Sequence, residues 1–181
     1  MAIIVYQLSL SLDGYVDDVE GTLVMPAPGD EEFRHYTDRE RGMAGGIYGR
    51  RIYELMRYWD EDQADWGTVH HDFAAAWRAH PKWVASRTLQ SVGPGATLIR
   101  DNVEAFARKL KAEIDGVITV AGPTLAGALT KADLIDEYRL YYRPYVLGSG
   151  KPFFADTQPK LRFVSSETIG PETIRAVYKR V

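Results

Sequence analysis

Three short motifs contain the residue types that bind a phosphorylated cofactor, namely glycines, arginines and hydroxyl side chains. They read Gly49-Arg50-Arg51, Ser86-Arg87-Thr88 and Ala121-Gly122-Pro123-Thr124. Glycine lets a ligand approach the backbone, helix N-terminal N–H groups face anions, and guanidinium forks match phosphate oxygens. Each motif alone is also typical of an ordinary turn, cap or solvated helix start. All three, however, follow a predicted strand, which is where open α/β sheets bind ligands.

A second group of candidates is acidic and would bind a heterocycle rich in N–H groups. Asp13 stands in an Asp-Gly pair after the first predicted strand, where its carboxylate either accepts two parallel donors or simply forms the turn. Asp30, Glu31 and Glu32 open a predicted helix, where acidic side chains also stabilise the helix N-terminus. Glu32 and Tyr36 share a helix face and are the preferred substrate-side pair. No residue stands out as the proton donor.

Metal and classical dinucleotide motifs are weak or absent. His70 and His71 are adjacent on a predicted helix, so their side chains point about 100° apart and do not easily share one ion. The chain has no cysteine, which excludes disulfides, thiolate catalysis and cysteine-ligated zinc or iron–sulfur clusters. We predict no metal site. Gly42–Gly46 precedes a predicted strand, whereas a Rossmann fingerprint would follow one.

The elements that must position these residues alternate between strands and helices. Hydrophobic patterning predicts strands over 3–11, 45–49, 82–85, 96–99, 116–121 and 135–147, and a closing pair over 162–166 and 173–180. Helices are predicted over 30–41, 50–58, 65–79 and 123–132, with a further helix that Asp101 and Glu104 would cap. This order predicts an α/β fold with a mainly parallel central sheet, covered by helices and completed by antiparallel C-terminal strands.

Composition limits the class of protein. A chain of 181 residues is long enough for one domain, 1–181, with a full hydrophobic core. No apolar run approaches the length of roughly 18 residues that a membrane span needs. The net charge of −3 gives no general attraction to nucleic acid. The N-terminus alternates like a strand and lacks a basic leader, so we expect a cytoplasmic protein.

Four segments occur in an order that is typical of one protein family. They are Ser9–Tyr15 (containing Ser-Leu-Asp-Gly), Gly49–Glu54 with Trp59, Lys82–Leu89, and Leu134–Phe154 with its Val-Leu-Gly-Ser-Gly-Lys-Pro-Phe-Phe. Together they resemble the bacterial dihydrofolate-reductase-like family, which includes the reductase domain of the riboflavin-pathway bifunctional deaminase-reductase. The segments span nearly the whole chain.

The resemblance implies a three-layer fold, an NADPH site and commonly a homodimer. It carries cofactor contacts onto positions in the three motifs and in the loop after the long strand: Gly49, Arg50, Arg51, Ser86, Arg87, Gly122, Thr124, Leu147, Gly148 and Gly150. The arginines would favour the additional 2′-phosphate of NADPH over NADH. The implied activity is an NADP-dependent oxidoreductase that transfers hydride to a C=O or C=N bond of a small nitrogen heterocycle. Both 5-amino-6-(5-phosphoribosylamino)uracil-like and pterin- or dihydrofolate-like substrates remain open.

Two departures from the family pattern keep a second function open. Ile52 stands where the family usually has threonine, which removes a hydroxyl from the cofactor site. Pro123 stands where a second glycine is usual, which removes an N–H donor at a helix start. These changes would suit a non-catalytic nucleotide- or ligand-binding protein that retains the fold. The four tryptophans are expected in the core or at a dimer interface, and Tyr138, Tyr141, Tyr142 and Tyr145 at a dimer contact or in the sheet.

Overall fold

The computed structural model describes all 181 residues. Its ten strands are β1 Ile3–Leu10, β2 Tyr15–Asp17, β3 Met43–Gly49, β4 Lys82–Ala85, β5 Ala96–Ile99, β6 Val117–Ala121, β7 Glu137–Tyr142, β8 Lys151–Pro152, β9 Leu161–Ile169 and β10 Thr173–Arg180. Its helices are α1 Asp30–Arg41, α2 Arg50–Met56, α3 Thr68–Ala79, α4 Val103–Glu113 and α5 Pro123–Lys131, and a short 3₁₀ helix, Arg57–Asp60, follows α2.

Eight of the strands form one sheet in the order β5-β4-β3-β6-β1-β7-β10-β9. The strands from β5 to β7 are mutually parallel, and β10 and β9 are added antiparallel to β7 and to each other. This arrangement confirms the fold class that the order of elements predicted. Because the parallel strands all end at the same sheet edge, the segments that follow β1, β3, β4, β6 and β7 are brought together there.

Helices cover both faces of the sheet and divide its core in two. On one face, α4 and α5 pack Leu110 and Leu129 against Ile4, Ile118 and other strand residues. On the opposite face, α1 and α3 pack aromatic side chains against the alternate strand residues, and these side chains include Phe33, Phe73, Trp77, Tyr48 and Tyr141. Side chains on β7 alternate between the two cores, since Tyr138 and Leu140 face the first core and Tyr141 faces the second.

Several predicted boundaries were wrong, each for a local reason. The strand predicted over 135–147 ends at Tyr142, because Arg143 is followed by Pro144 and the chain turns with Tyr145 N–H donating to the Arg143 carbonyl. The helix predicted from residue 65 begins at Thr68, after Gly67. α4 is capped by Asn102, not Asp101; the Asn102 side chain accepts from the Ala105 N–H.

Two short strands escaped prediction. β2 and β8 pair with each other in a separate two-stranded sheet, and segments this short carry too little periodicity to be recognised. No helix in the structure combines the length and the apolarity that crossing a membrane requires.

Candidate functional site

Two glycines from different motifs lie against each other at the carboxyl edge of the sheet. Gly49 ends β3, and Gly122 follows the neighbouring strand β6. A Cβ added at Gly122 would lie 3.5 Å from the Gly49 Cα and 3.7 Å from Ile52 Cγ2. Gly122 also has a φ of 114°, which L side chains rarely adopt. The two motifs therefore form a cradle in which the backbones of Gly49 and Gly122 meet and the Ile52 side chain lies alongside.

The first two motifs are joined by a direct contact. Arg50 donates from Nε to Glu54 at 3.0 Å and from Nη1 to the Thr88 hydroxyl at 2.9 Å. The Ser86 hydroxyl accepts from the Thr88 and Leu89 N–H groups, which shapes the turn after β4. The structure thus brings Arg50 and the Ser86–Thr88 turn together as the sequence predicted.

Three other arginines at this edge are exposed and take part in no ion pair. Arg87 follows β4, and Arg100 follows the neighbouring strand β5 and donates to the Arg87 carbonyl at 3.4 Å. Arg51 lies against Gly21. We call Arg50, Arg51, Arg87 and Arg100 the arginine end of the site. Arg100 was missed in the sequence, and its position directly after a predicted strand was the available signal.

Residues of the third motif lie next to the cradle. Pro123 occupies the first turn of α5, and Thr124 is exposed in that turn. Because proline has no backbone N–H, the start of α5 has one hydrogen-bond donor fewer. Thr124 therefore lies close to Gly122, but its predicted contact with a cofactor remains a prediction.

The Asp13 carboxylate accepts hydrogen bonds from groups of the protein in the loops after β1 and β7. Its Oδ1 accepts from the Ser11 hydroxyl at 2.6 Å and from Leu147 N–H at 3.2 Å, and its Oδ2 accepts from Gly148 N–H at 2.7 Å. The Ser11 bond, with the two backbone bonds, holds the pKa of this exposed carboxyl below its usual value. Asp13 thus ties the loop after β1 to the loop after β7, which matches the turn-forming alternative. A role toward substrate is still untested.

The loop after β7 is shaped by a further close approach. Gly150 has a φ of 150° and lies against the Asp17 carbonyl, where β8 pairs with β2. Burial raises the pKa of Asp17, and the nearby Arg51 partly offsets that rise. Leu147, Gly148 and Gly150 therefore have structural reasons for their positions, and their predicted cofactor contacts remain predictions.

Glu32 and Tyr36 come together around a residue that the sequence did not single out. Glu32 accepts from Arg143 at 2.7 Å, from the Thr173 hydroxyl and from the Gly29 N–H at 2.8 Å. The Tyr36 hydroxyl lies 3.5 Å from Arg143 Nη1. Glu32 and Arg143 are only 4% and 2% exposed. Arg143 directly follows β7 and lies in the same every-second-residue series as Glu137 and Arg139. That series of charged residues was the sequence signal that could have identified Arg143.

A group of aromatic side chains packs where α1, α3 and the 3₁₀ helix meet. The Phe33 ring lies 4.8 Å from His70 and 5.9 Å from Trp59 between ring centroids, and Trp59 lies 4.9 Å from Trp66. Phe73 completes the group, 4.8 Å from Trp59. We call these five residues the aromatic cluster, and the cluster together with the Glu32–Arg143 pair the aromatic end.

The tryptophans divide into two pairs. Trp77 and Trp83 are buried in the two cores, which is one of the two predicted places. Trp59 and Trp66 are partly exposed within the aromatic cluster, and a dimer interface at these residues stays a prediction. His70 stacks in this cluster, and no group of three or more His, Cys, Asp or Glu side chains is arranged to hold a metal ion.

A second set of buried polar groups lies away from this edge. His80 lies 3.2 Å from the Tyr48 hydroxyl and 3.6 Å from Glu40, and Lys82 donates to the His80 carbonyl. Burial lowers the pKa of Lys82 and of His80. Since Lys82 begins β4, this network lies at the opposite edge of the sheet from the cradle.

The sequence matches the family model described as the RibD C-terminal domain over residues 2–175. Among curated proteins, YyaP of Bacillus subtilis strain 168, which is uncharacterised, is 28% identical over 97% of this chain and 93% of its own length. The riboflavin biosynthesis protein RibD of Escherichia coli strain K12 is 38% identical over 34% of this chain and 19% of its own length.

Solved structures share the fold over the full length of the chain. RibD of Acinetobacter baumannii has a TM-score of 0.70 and 18% identity, and the match covers 100% of this chain and 58% of that one. A dihydrofolate reductase from Enterococcus faecalis, complexed with NADP(H) and RAB-propyl, has a TM-score of 0.64 and 15% identity, covering 98% of this chain and 96% of that one. At these identities the likeness establishes the fold alone.

Proposed function

The chain belongs to the RibD C-terminal domain family, and from that premise we propose that it is an NADPH-dependent reductase of a small nitrogen heterocycle. Membership of a family whose members include reductases supports an oxidoreductase. The Enterococcus faecalis dihydrofolate reductase of the same fold is complexed with NADP(H). NADPH specificity, the substrate, a cytoplasmic location and a homodimer are parts of the proposal.

One observation carries the proposal, namely the Gly49–Gly122 cradle beside the arginine end. A dinucleotide needs a place where its pyrophosphate meets backbone, and Gly49 and Gly122 are two residues without side chains at neighbouring strand ends. The additional 2′-phosphate of NADPH needs guanidinium groups that are not committed to carboxylates. Arg87 and Arg100 meet this condition, and Arg51 is in no ion pair but lies near Asp17. The residues present therefore fit this cofactor, with Gly49, Gly122 and Thr124 near the pyrophosphate and the arginines near the 2′-phosphate.

When bound, reduced nicotinamide supplies a hydride, which is a proton together with two electrons, to the carbon of a C=N or C=O bond. The nitrogen or oxygen of that bond must then take a proton, which leaves the substrate reduced by two electrons. This chain's part is to orient both partners and to exclude water. We expect the substrate to bind near the loop held by Asp13 and near Glu32 and Tyr36.

The departure at Ile52 is compatible with this proposal. Ile52 lies beside the cradle, 3.7 Å from the position of a Cβ at Gly122, and packs on the hydrophobic cluster of the α1 face. The hydrogen bond that a threonine hydroxyl at this position would make to the cofactor is lost. Cofactor binding would be weaker by about 1.5–3 kcal/mol if that bond was to a charged group. The three free arginines can offset that loss.

A titration with NADPH and NADH, followed by quenching of tryptophan fluorescence, tests the proposal. We expect NADPH to bind at least tenfold more tightly than NADH, and Arg87→Ala to abolish that preference. Arg162→Ala is the matched control, because Arg162 is also exposed and in no ion pair but lies on β9. Absence of binding by either nucleotide would refute the reductase and leave the non-catalytic alternative.

Turnover is measured separately, by NADPH oxidation in the presence of pyrimidine and pterin substrates. Oxidation that depends on both substrate and enzyme is the expected result. Tight NADPH binding with no oxidation across both substrate classes would favour the binding protein, as the losses at Ile52 and Pro123 would suggest.

A further inference from the structure

The two edges of the eight-stranded sheet differ in length and exposure. β5 forms one edge and has only four residues, of which the last is buried. β9 forms the other edge with nine residues, and the seven from Arg162 to Thr168 are all exposed. An edge strand presents unpaired N–H and C=O groups that can pair with another chain, and natural proteins usually shorten, cover or block such strands. β9 is therefore the place where this sheet can be extended.

The sequence of β9 has few of the features that block an edge strand. It contains no proline and no lysine, and its two charged residues, Arg162 and Glu167, have opposite signs. Its apolar side chains are exposed, with Phe163 at 58% and Val164 at 41%. An exposed apolar edge of this length would promote aggregation if nothing covered it. The composition of β9 thus fits a strand that a partner covers.

A β-bulge determines which side chains of β9 share a face. Val164 is an extra residue, because its neighbours Phe163 and Ser165 lie opposite consecutive residues of β10. Arg162 and Glu167 lie opposite β10 residues that are four positions apart, so they are on the same face. In a regular strand, residues five positions apart would face opposite sides. The bulge therefore places one cation and one anion on one face, on either side of its own position.

This arrangement makes β9 complementary to a second copy of itself. If two β9 strands pair antiparallel about a two-fold axis at Val164 and Ser165, Arg162 of each copy lies opposite the partner's Glu167. On the other face, the two Phe163 side chains become diagonal neighbours, at a separation that aromatic side chains can span. Each contact occurs twice or lies at the axis, as an interface between identical copies requires.

Both members of the intermolecular ion pair are available. Arg162 is exposed and takes part in no ion pair. Glu167 pairs with Arg175 of its own chain, but its side chain remains 47% exposed. A carboxylate has two oxygens and accepts from more than one donor. Glu167 can therefore contact the second arginine without releasing the first.

We propose that β9 is the interface between two copies of this chain, paired antiparallel so that the two eight-stranded sheets become one continuous sheet. A homodimer is one part of the proposed function, and this inference rests on that part and assigns its surface and register. The interface lies far from the cradle, because four strand spacings, roughly 19 Å, separate β9 from β6. Loss of the interface should thus leave nucleotide binding intact.

Sedimentation velocity over a series of protein concentrations tests whether the dimer forms. We expect a monomer–dimer equilibrium with a Kd of roughly 1–100 µM, since an interface centred on one strand is smaller than the about 1,200–2,000 Å² of stable complexes. A chain that remains monomeric well above this range would overturn the proposal.

Two charge reversals test the register. Arg162→Glu and Glu167→Arg each set like charges opposite one another at both ends of the paired strands, so each alone should weaken self-association at least tenfold. An equimolar mixture of the two variants should form a heterodimer, because both pairs then have opposite charges, and native mass spectrometry identifies it by mass. Each substitution changes the net charge of −3 by two units. Both variants therefore stay negative, and general attraction does not explain their association.

An exposed arginine away from β9 provides the control. Arg108 lies on α4 and takes part in no ion pair, so Arg108→Glu should leave the Kd of the dimer unchanged. Phe163→Lys should weaken the dimer at least tenfold, because it places two cations beside the axis. A dimer that is insensitive to Arg162→Glu, or a mixture that forms no heterodimer, would show that another surface or register is used and would refute the proposal.

The NADPH affinity of each variant distinguishes this proposal from the rest of the proposed function. Variants on β9, Arg162→Ala among them, should bind NADPH as the unmodified protein does, which also shows that they fold. A dimer that binds no nucleotide would refute the reductase and support the interface. A strict monomer that binds NADPH would refute only the interface.

Discussion

The arginine end and the aromatic end of the site contain similar charged side chains but use them differently. At the arginine end, guanidinium groups stand on short turns after strands and are exposed without carboxylate partners. At the aromatic end, the arginines neutralise carboxylates, and one pair, Glu32–Arg143, is buried. Unpaired charge is available to a ligand, whereas paired buried charge holds structure. Whether an arginine is already paired with a carboxylate therefore indicates, more than its residue type, which end of the site would bind a phosphate.

The largest expected effect is at the buried pair. Glu32→Ala leaves Arg143 buried without its carboxylate, so the free energy of unfolding should fall by about 3–5 kcal/mol. Urea denaturation measures this change. Glu31→Ala, at the exposed neighbouring position, should change stability by less than about 0.5 kcal/mol. If both variants lost little stability, the aromatic end would not depend on its pairing as described.

At the arginine end, affinity should change and stability should not. Arg87→Ala should weaken NADPH binding by about 1.5–3 kcal/mol, the value of a hydrogen bond to a charged group, with little change in urea denaturation. Arg50→Ala should lose less affinity, because Arg50 is already engaged with Glu54 and Thr88. Isothermal titration of both variants decides the order. A larger loss of NADPH affinity in Arg50→Ala than in Arg87→Ala would contradict the inference that unpaired arginines bind the phosphate.

The cradle between the two ends is tested by adding a single methyl group. Gly122→Ala places a Cβ 3.5 Å from Gly49 Cα at a φ of 114°, so we expect a destabilisation of about 1–3 kcal/mol and loss of nucleotide binding. Gly67→Ala is the control, since Gly67 has a φ of −86° and an added Cβ would come no closer than 4.0 Å to a neighbour, His70 Nδ1. Nucleotide binding that survives in a folded Gly122→Ala would place the pyrophosphate elsewhere.

The smallest effect concerns Asp13, which ties the loops after β1 and β7. Because its folded-state pKa is lowered, its stabilisation is present above the unfolded value near 4 and is lost as the pH falls through the folded value. Asp13→Asn should therefore lower the Tm at pH 7, and the difference from the unmodified protein should shrink below about pH 4. Thermal denaturation from pH 3 to 7 measures it. A difference independent of pH would mean that the charge of Asp13 is not what holds the loops.

The sequence predicted the parts of the fold that depend on long periodic segments. α1 and β10 were predicted with their observed bounds, because segments of this length show a clear pattern. The four-residue strands β4 and β5 were also predicted with their observed bounds. β2 and β8 were missed, since two or three residues have no period. The end of β7 was overestimated because the hydrophobic alternation continues beyond Pro144, although the backbone pairing does not.

Which motifs lie close together could be predicted where position along a strand was enough, although their binding roles stay predictions. Gly49 and Gly122 were placed together because neighbouring parallel strands end at one edge. Arg143 was missed because only the tertiary structure shows that the carboxylate of Glu32 reaches it. The aromatic cluster was missed for a similar reason, since Phe33, Trp59 and Trp66 come from separate elements and no local pattern connects them.

The place of β1 in the sheet has a consequence for how the chain folds during synthesis. β1 is translated before the other strands of its sheet, yet it pairs only with β6 and β7, so that Ile3 lies opposite Val117 and Leu10 opposite Tyr142. More than a hundred residues must therefore be translated before the centre of the sheet can close. Such non-local pairing slows folding and leaves an apolar strand exposed in the nascent chain. Among the strands of this sheet, β1 is thus the one that a holding chaperone would have to protect for longest.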